Sequence, residues 1–556
     1  MTPASDPALA TRESEQPALA ARGSLARHDA PPARALLWQA TLLGVSGDAL
    51  LRDGPFGPGL SIWVAVLALA ALSLTWSGGR RVPREAVVWL GVAAAITACL
   101  AWRDADALRF LDVVAAAGAL GLAAVALRDP ALALAAPRLR DTLWAVRAIV
   151  FATARGIVPL ALRELFAGDR GAGARGRART TLRLALIVAS LLFVFGSLLR
   201  GADPIFASLV SLPDLDVGTI VSHLFLIGFF AWIAGGWAYG ALVESPASRR
   251  APDRLPITLS ALDLTTALGT LTVLFGAYVL TQLGWFFGGE KFLHATTGLT
   301  AAQYARRGFF QMVWVVALVV PLLLVTRAAL APEPALARRH TLLSLPVVGL
   351  LGAMILSAAL RMRLYVQYYG LTAERLYTLV FMGWLAIVLA LLAATVLRGR
   401  GRPFVAGSVV SALALLFGLH IAVPDVIVAR VNLARAASPT ATVPLDLPYL
   451  ARLSGDAIPL AVRATLRAPA ATQWDAIESD AHCAAASRLL QQWGPASRTA
   501  ERRRSVGAWR TWNAGEARAL RAVGERSADL RRLRHATCSP GWEDRTYERG
   551  VAREGD

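Results

Sequence analysis

The side chains best suited to chemistry lie in one polar stretch, residues 282–310, between two apolar segments. This stretch holds Glu290, His294 and the chain's only lysine, Lys291, together with a glycine pair and several aromatic residues. A buried carboxylate or imidazole with a perturbed pKa can take part in proton transfer. The alternative interpretation is that these three polar side chains extend to the lipid headgroups and have no chemical role.

A second cluster, residues 361–377, combines arginine with tyrosine. Its candidate ligand-binding residues are Arg361, Arg363, Tyr365, Tyr368 and Arg375. The arginines could hold an anionic headgroup or a carboxylate by forked hydrogen bonds, and the tyrosines could line an amphipathic ligand. The alternative is an aromatic belt of tyrosines at the membrane surface, with arginines that reach the headgroups.

Ionisable residues are few inside the apolar segments, and we single out Asp48, His223, Asp263 and His420. A charge in hydrocarbon is costly, so each of these side chains should face protein or water. In a proton-coupled transporter they would line one aqueous path near the middle of the membrane. Histidines at such positions are more often neutral residues of the core than proton carriers.

The composition of the chain indicates the class of protein to which these residues belong. Of the 556 residues, 56% are hydrophobic and only 17% are charged, which is too few charges to cover the surface of a soluble protein of this size. The net charge of +19 is almost entirely arginine and fits cytoplasmic loops that face anionic headgroups. We therefore expect a lipid bilayer as partner and no nucleic acid. No catalytic sequence motif is present, and we predict no cofactor and no metal site.

The apolar runs predict about eleven membrane-spanning helices in an all-α, polytopic bundle. They lie at residues 35–51, 60–76, 86–101, 108–127, 182–199, 217–242, 259–287, 309–326, 342–360, 376–397 and 404–423. The first and third are short and could be tilted or partly buried. Arginine in alternate connectors places the N-terminus in the cytoplasm, and the odd number of spans then places the C-terminal region outside. Under this topology Asp203 and the two polar clusters converge on one outer-face pocket.

Five regions follow from this reading. Residues 1–34 form a disordered cytoplasmic tail, residues 35–127 the first membrane helices, and residues 128–181 a cytoplasmic amphipathic helix with a basic linker. Residues 182–423 form the main membrane region. Residues 424–556 contain no apolar run long enough to span a membrane. We therefore predict that they form a small, soluble, helical domain outside the cytoplasm.

Cysteine usage agrees with this topology. Cys99 lies in an apolar segment, whereas Cys483 and Cys538 both lie in the C-terminal region. In an oxidising compartment these two would form a disulfide. Two unpaired buried thiols, or a metal site shared with His482 and His535, are the alternatives, and adjacent His-Cys residues are poorly spaced as ligands.

Several sequence blocks, in order, carry a resemblance to a known family. They are DALLRDGPFGPGLS, ADPIFASL, QLGWFFGG with YARRGFF, RMRLYVQYYGLTAERLYTLVFMGW, VARVNLAR, YLARLSGDAIPL and WRTWN. The chain resembles the bacterial multi-pass membrane proteins known as domain of unknown function forty-one seventy-three, and its close relatives. The resemblance implies an integral membrane fold and a helical C-terminal region, and it brings no reaction or catalytic residue.

We therefore expect a bacterial inner-membrane protein, more a non-enzymatic sensor or organiser of the envelope than an enzyme. A candidate partner is an envelope protein bound through the C-terminal domain, and anionic headgroups should bind the basic cytoplasmic loops. Two alternatives stay open, a proton-coupled transporter of a small or amphipathic solute and a membrane-embedded transferase that acts on a lipid-linked substrate.

Overall fold

The structure is a computed structural model. It describes residues 33–54, 57–128, 139–158, 160–161, 217–243, 259–297, 309–330, 333–399, 402–438, 444–467 and 476–538, with a few single residues between 180 and 196. Only the backbone is described at residues 139–145, 148, 217, 282–297, 309–313, 364, 368, 402, 476 and 477. The described ranges are helical and contain no β-strand, only one isolated bridge between Leu259 and Leu330.

The first part of the chain forms long helices. In chain order they are α1 (Ala33–Leu51), α2 (Pro58–Ser77), α3 (Arg84–Cys99), α4 (Asp106–Arg128), α5 (Leu139–Arg155), α6 (Val217–Leu242), α7 (Ala261–Thr297), α8 (Phe309–Ala328), α9 (Pro334–Tyr369), α10 (Ala373–Leu391) and α11 (Arg402–Ala422). The helix α10 continues into a π-helical turn, Leu392–Val396.

Seven helices of the described part are long and apolar enough to cross a membrane, as in a multi-pass membrane protein. They are Pro58–Ser77, Asp106–Arg128, Gly218–Leu242, Ala261–Thr281, Pro334–Gln367, Ala373–Val396 and Pro403–Ala422. The predicted number, about eleven, is not reached in these ranges. The helix α3 has only 16 residues, the apolar part of α8 is the short helix Trp314–Ala328, and α1 carries several polar residues. Most of residues 182–199 lies outside the described ranges.

The membrane helices pack around two apolar cores. The first joins α1 to α4 and α6 through buried residues such as Leu36, Trp63, Leu90 and Trp237. Here α1 approaches α6 so closely that a Cβ atom at Gly44 would lie 2.4 Å from the carbonyl oxygen of Ile227. Only glycine fits at such a contact.

The second core joins α7 to α10. Its members include Leu268, Val316, Leu351 and Leu392, all buried. Between the two cores lies a smaller cluster in which Leu108 of α4 meets Leu416 and Leu419 of α11. The helices α4 and α11 therefore connect the two halves of the bundle, and the candidate site described below lies at their ends.

The remaining helices form a C-terminal unit with a core of its own. They are α12 (Pro424–Ala436), α13 (Leu447–Leu450), α14 (Ile458–Thr465), α15 (Ala476–Trp493), α16 (Arg498–Arg504), a 3-10 turn at Ala508–Thr511, α17 (Ala514–Glu525) and α18 (Ser527–Thr537). None of these helices is among the candidate spans. Their buried residues, Val428, Leu450, Ile458, Leu489, Ala519 and Leu530 among them, come from six helices, and Leu371 of the connector before α10 belongs to the same core.

A disulfide links two of these helices. Cys483 of α15 is bonded to Cys538, at the end of α18, with a sulfur–sulfur distance of 1.98 Å and 5.1 Å between the Cα atoms. The predicted pair is therefore confirmed. It closes a loop over 55 positions of the chain, and neither cysteine is available to a metal.

Candidate functional site

The C-terminal unit rests on one end of the membrane bundle. That end holds residues 52–54 and 57, the connectors at residues 100–105 and 370–372, and the junction between α11 and α12. The contact at α2 is close, because a Cβ atom at Gly57 would lie 2.7 Å from both the Arg510 carbonyl oxygen and the Thr511 Cα. Gly57 also has a φ of +135°, a conformation that L side chains rarely adopt.

Asp104, in the connector between α3 and α4, lies at the centre of this contact. One carboxylate oxygen accepts a 2.7 Å hydrogen bond from the Gly455 backbone N–H, and the other binds the Arg109 guanidinium. The Asp104 N–H donates to Asp456 at 3.0 Å. Asp104 thereby joins a membrane connector to the loop before α14. Burial raises the pKa of Asp104 to about 7, and Arg109 opposes that shift without cancelling it.

Asp456 is bound by arginines from both sides of the contact. Arg103 approaches its Oδ1 at 3.4 Å, and Arg518 of α17 binds the same oxygen. Arg103 also donates to the His420 carbonyl oxygen at 2.8 Å, at the end of α11. Two arginines around one buried carboxylate balance its charge where water is scarce, which an isolated carboxylate could not tolerate.

Asn513 fastens α17 to the same connector. Its amide Nδ2 donates to the carbonyl oxygens of Leu100, at 2.8 Å, and Arg103, at 2.6 Å. Its Oδ1 accepts from the N–H groups of Gly515 and Glu516, at 2.7 and 3.1 Å, and so caps the helix. All four hydrogen-bonding positions of this buried amide are used.

Glu516, on the first turn of α17, completes the network. Arg502 reaches both of its carboxylate oxygens at 3.1 Å, Arg503 binds one of them, and Arg109 approaches at 3.3 Å. The carboxylate at a helix N-terminus is favoured by the helix dipole as well as by the arginines. One acidic side chain therefore connects α16, α17 and α4.

A cavity of about 510 Å³ opens beside this network, between the membrane helices and the C-terminal unit. It is lined by Asp104, Ala105, Asp106, Ala107, Arg109, Thr372, Ala373, Glu374, Tyr377, Asp425, Tyr449, Arg452, Leu453, Ser454, Gln492, Trp493, Thr499, Arg502 and Glu516. Five of these residues are acidic and three are arginines. Its size falls in the range of small-molecule sites.

Two hydrogen-bonding groups on residues of the lining have no partner among the described residues. They are the hydroxyl of Tyr377 and the indole N–H of Trp493, a residue that is only 4% exposed. Buried polar groups are nearly always paired, with protein or with ordered water. Two unpaired donors on residues that line one cavity therefore favour polar atoms as its contents.

A second carboxylate of the lining, Asp425 at the start of α12, accepts a 3.0 Å hydrogen bond from the Ser454 N–H. Burial raises the pKa of Asp425 above its ordinary value. The same cause raises the pKa of the Tyr449 phenol, whose oxygen accepts from the Ala373 N–H at 2.8 Å. The cavity thus combines two carboxyl groups and a phenol whose pKa values are all raised by burial.

Below the cavity, inside the bundle, lies a fully buried pair. His420 of α11 places its Nε2 2.8 Å from the Asp112 Oδ1 on α4, and both side chains are 1% exposed. The Asp112 Oδ2 and the His420 Nδ1 have no partner among the described residues. The indole of Trp102 stacks on the His420 ring, with 6.1 Å between the centroids.

The other predicted intramembrane residues lie elsewhere. His223 of α6 binds Asp48 of α1, with 2.5 Å between Nδ1 and Oδ2, and Arg52 binds the same carboxylate at 2.7 Å. Asp263 accepts hydrogen bonds from the N–H and the hydroxyl of Ser260 at the start of α7. The four residues therefore belong to three separate sets of contacts.

The arginine and tyrosine cluster is only partly assembled. Arg375 stacks its guanidinium over the Tyr365 ring, 4.1 Å from the centroid, and donates to the Gly370 carbonyl oxygen at the end of α9. Arg361 is buried and Arg363 exposed, so the two do not face one ligand. None of these residues lines the cavity. The side chains of Tyr368, Glu290, Lys291 and His294, and the whole of Asp203, lie outside the described residues.

The residues that do line the site were mostly missed, although some signals were present. The connector at residues 103–109, RDADALR, holds four charges between two apolar segments, which no simple turn requires. The sequence Asn513-Ala-Gly-Glu516 has the form of a helix N-terminus. Asp425 and Tyr377 belong to polar stretches that the sequence does assign to the outer face. In the described ranges no group of three or more His, Cys, Asp or Glu residues could hold a metal ion.

A family profile described as Domain of unknown function (DUF4153) matches residues 90–464, about two thirds of the chain. This chain belongs to that family. The resemblance drawn from the sequence blocks named a different family, forty-one seventy-three, so that identification is corrected; both are domains of unknown function. The matched region includes Asp104, Asp425 and Asp456 but ends before Asn513 and Glu516. No curated protein and no solved structure matches the chain.

Proposed function

We propose that this chain is a non-enzymatic protein of the bacterial inner membrane that binds a small polar solute in the cavity and thereby senses or organises the envelope. The observation that carries the proposal is a cavity of about 510 Å³ whose lining comes from both the membrane helices and the C-terminal unit and includes two residues with unpaired donors, Tyr377 and Trp493. A cavity that only joined two parts of a protein would pair or exclude such groups.

The lining also limits the chemistry of the solute. The lining holds five carboxyl groups and three arginines, and two of the arginines already bind Glu516, so it offers no excess of positive charge to a polyanion. The unpaired hydroxyl and N–H groups require acceptor atoms on the ligand. A neutral or zwitterionic solute rich in oxygen, such as a sugar or a short peptide, meets both conditions.

A role in sensing is supported by the origin of the lining residues, which come from two parts of the protein. Asp104 and Arg109 belong to the membrane part, whereas Glu516 and Trp493 belong to the C-terminal unit. A ligand that contacts both parts stabilises the arrangement in which they are joined, and loss of the ligand favours a looser one. The membrane helices α4 and α11 would carry that difference across the bilayer.

The extracytoplasmic position of the C-terminal unit belongs to this proposal. Arginines concentrate at the opposite end of the bundle: Arg80, Arg81, Arg84, Arg338, Arg339 and Arg398. The positive-inside rule puts that end in the cytoplasm, and a disulfide in the C-terminal unit suits an oxidising compartment. In intact cells an impermeant thiol reagent should modify Cys483 and Cys538 only after reduction. Modification that requires permeable cells would reverse the orientation.

Binding is tested on the full-length protein in lipid nanodiscs, with a panel of monosaccharides, amino acids and dipeptides. A ligand at one hundred times its dissociation constant raises the free energy of unfolding by about 2.7 kcal/mol. Ala107 is an exposed residue of the lining, so Ala107→Trp should obstruct the cavity and abolish the thermal shift, while Ala107→Ser should preserve it. If no solute stabilises the wild-type protein, or if both variants respond equally, the proposal fails.

One observation favours a second function, proton-coupled transport. The Asp112–His420 pair is buried among apolar helices, where ionisable residues are costly and usually functional. Proteoliposomes should then accumulate a panel solute under a proton gradient, and Asp112→Asn should stop uptake without preventing solute binding. Uptake that is absent, or unaffected by Asp112→Asn, would exclude this alternative. The transferase alternative depends on Glu290, His294 or Asp203, whose side chains lie outside the described residues.

A further inference from the structure

Exposed tryptophans mark the two surfaces of the bundle. Those that are more than one third exposed in the described part are Trp38, Trp76, Trp102, Trp314, Trp509 and Trp512. The first two lie near the end that carries the arginine-rich connectors, and Trp102 and Trp314 lie near the opposite end. Tryptophan is enriched where a membrane meets water, so the four positions trace two interfacial belts.

Trp509 and Trp512 belong to the C-terminal unit, yet they lie at the level of the second belt. Between them, Thr511 packs against Gly57, and Arg510 donates to the Asp53 carboxylate at 3.0 Å. The helix α2 starts at Pro58 and has 20 residues, about 30 Å, which equals the hydrocarbon thickness. Its first residue therefore marks the membrane boundary, and the turn Ala508–Thr511 lies on that boundary.

The segment that leads to this turn has interfacial chemistry. Val506 is fully exposed, at 102%, and Trp509 and Trp512 are 52% and 44% exposed. Arg498 and Arg504 are exposed and have no carboxylate partner among the described residues, since Arg504 donates only to the carbonyl oxygens of Ala500 and Pro495. Exposed apolar tips beside arginines match the composition of segments that lie in a headgroup layer.

We propose that residues 498–512 form a lipid-docking segment that rests on the bilayer surface and binds phosphate headgroups. Val506, Trp509 and Trp512 enter the headgroup layer, and Arg498 and Arg504 pair with phosphate. The occupant is lipid because the segment continues the boundary set by α2 and because its free cations complement anionic headgroups. The segment holds five arginines and one acidic residue, Glu501. Three of the arginines bind Glu516 or Asp53, so Arg498 and Arg504 supply the charge that is left for phosphate.

The docking segment also touches the cavity. Arg502 and Arg503 lie within it and bind Glu516, a residue of the cavity lining. The residues proposed to contact lipid and the arginines that bind a residue of the cavity lining therefore belong to the same segment, 498–512. The docking of the segment does not depend on the proposed ligand, so either proposal can fail without the other.

The test places a fluorophore at residue 506. Val506→Cys is made in a Cys99→Ala background, where Cys483 and Cys538 remain bonded and unreactive. The labelled full-length protein is reconstituted in phosphatidylcholine and phosphatidylglycerol vesicles, with or without headgroup spin-labelled phosphatidylcholine. A matched label at Glu525→Cys, an exposed position about 18 Å along α17 from Asn513, serves as control.

Quenching at residue 506 should be at least about twofold stronger than at residue 525, because spin-label quenching requires close approach to the headgroup layer. Replacing Trp509 and Trp512 by serine should weaken it, and so should replacing Arg498 and Arg504 by glutamine. Equal quenching at residues 506 and 525, or quenching that survives both double substitutions, would overturn the proposal. Shielding of residue 506 from aqueous iodide without spin-label quenching would indicate a protein contact instead and would also overturn it.

Discussion

Asn513 offers the sharpest test of how the C-terminal unit is held on the membrane helices. In Asn513→Ala the α17 cap is lost, at a cost of about 1 kcal/mol. The carbonyl groups of Leu100 and Arg103 also lose their donor, and a buried unpaired polar group costs about 1–3 kcal/mol. The sum is on the order of 3 kcal/mol or slightly more.

The assay is hydrogen exchange of the full-length protein in nanodiscs, read in peptides that cover residues 100–105 and 510–520. A loss of about 3 kcal/mol corresponds to roughly a hundredfold faster exchange wherever opening is local. The affected amides should include Ala514, which donates to the Ala101 carbonyl oxygen at 2.9 Å, and Gly515 and Glu516, which donate to Asn513.

Two further variants separate the cap from the junction. Ser497→Ala removes the cap of α16, where the Ser497 hydroxyl accepts from the Ala500 N–H at 3.1 Å, and it leaves the membrane contact intact. Its effect should stay near 1 kcal/mol and remain local. Asn513→Asp keeps a good cap but turns a carboxylate toward two carbonyl oxygens, so it should be at least as damaging as Asn513→Ala. Wild-type protection in Asn513→Asp would refute the reasoning.

Three other predictions concern the C-terminal unit and its contact with the membrane helices. Since the pKa of Asp104 is about 7 in the folded state and 3.8 in the reference state, the folded protein holds the extra proton between these values. The free energy of unfolding should then fall as pH rises from about 4 to about 7, by up to about 4 kcal/mol. Asp104→Asn should flatten the melting temperature across that range, and an unchanged slope would contradict the assignment. Reducing the Cys483–Cys538 bond should destabilise the C-terminal unit by about 4 kcal/mol in the chain-entropy model, seen as earlier unfolding by denaturant. Equal midpoints with and without reductant would contradict it. Gly57→Ala should loosen the contact with Arg510 and Thr511 more than Gly54→Ala does, since both glycines have positive φ but only Gly57 lacks room for a Cβ. Proteolysis between residues 498 and 512 would report the loosening, and equal cleavage of the two variants would contradict it.

Several features of the fold follow from local pattern. Apolar runs of about 20 residues predict helices that cross a membrane wherever they occur, because a bilayer leaves no partner for a backbone amide outside the helix. The number of such helices is harder to predict. From hydropathy, the segments that form α1 and α3 are predicted to span the membrane. The helix α3 has only 16 residues, however, and α1 carries Gln39 and Asp48. Hydropathy alone does not separate a short span from a helix buried against its neighbours.

The candidate site was harder to predict than the helices. Glu290, Lys291 and His294 drew attention because they are polar in an apolar context, but the described cavity is lined by other residues. Its central contacts join Asp104 to Gly455 and Asn513 to Leu100, across 351 and 413 positions of the chain. No rule based on the spacing of residues along a sequence predicts contacts over such separations.

The sequence by itself determined the class of the protein: an all-helical chain with several apolar spans, arginine at alternate connectors, and two cysteines placed to pair. Those properties depend on hydropathy, charge and helical periodicity, which act over a few turns. Only the tertiary structure decided that Asp104, Asp456, Asn513 and Glu516 meet at one end of the bundle and leave a cavity beside them. Their buried charges are tolerable only when partners from remote segments surround them, and packing alone brings those segments together.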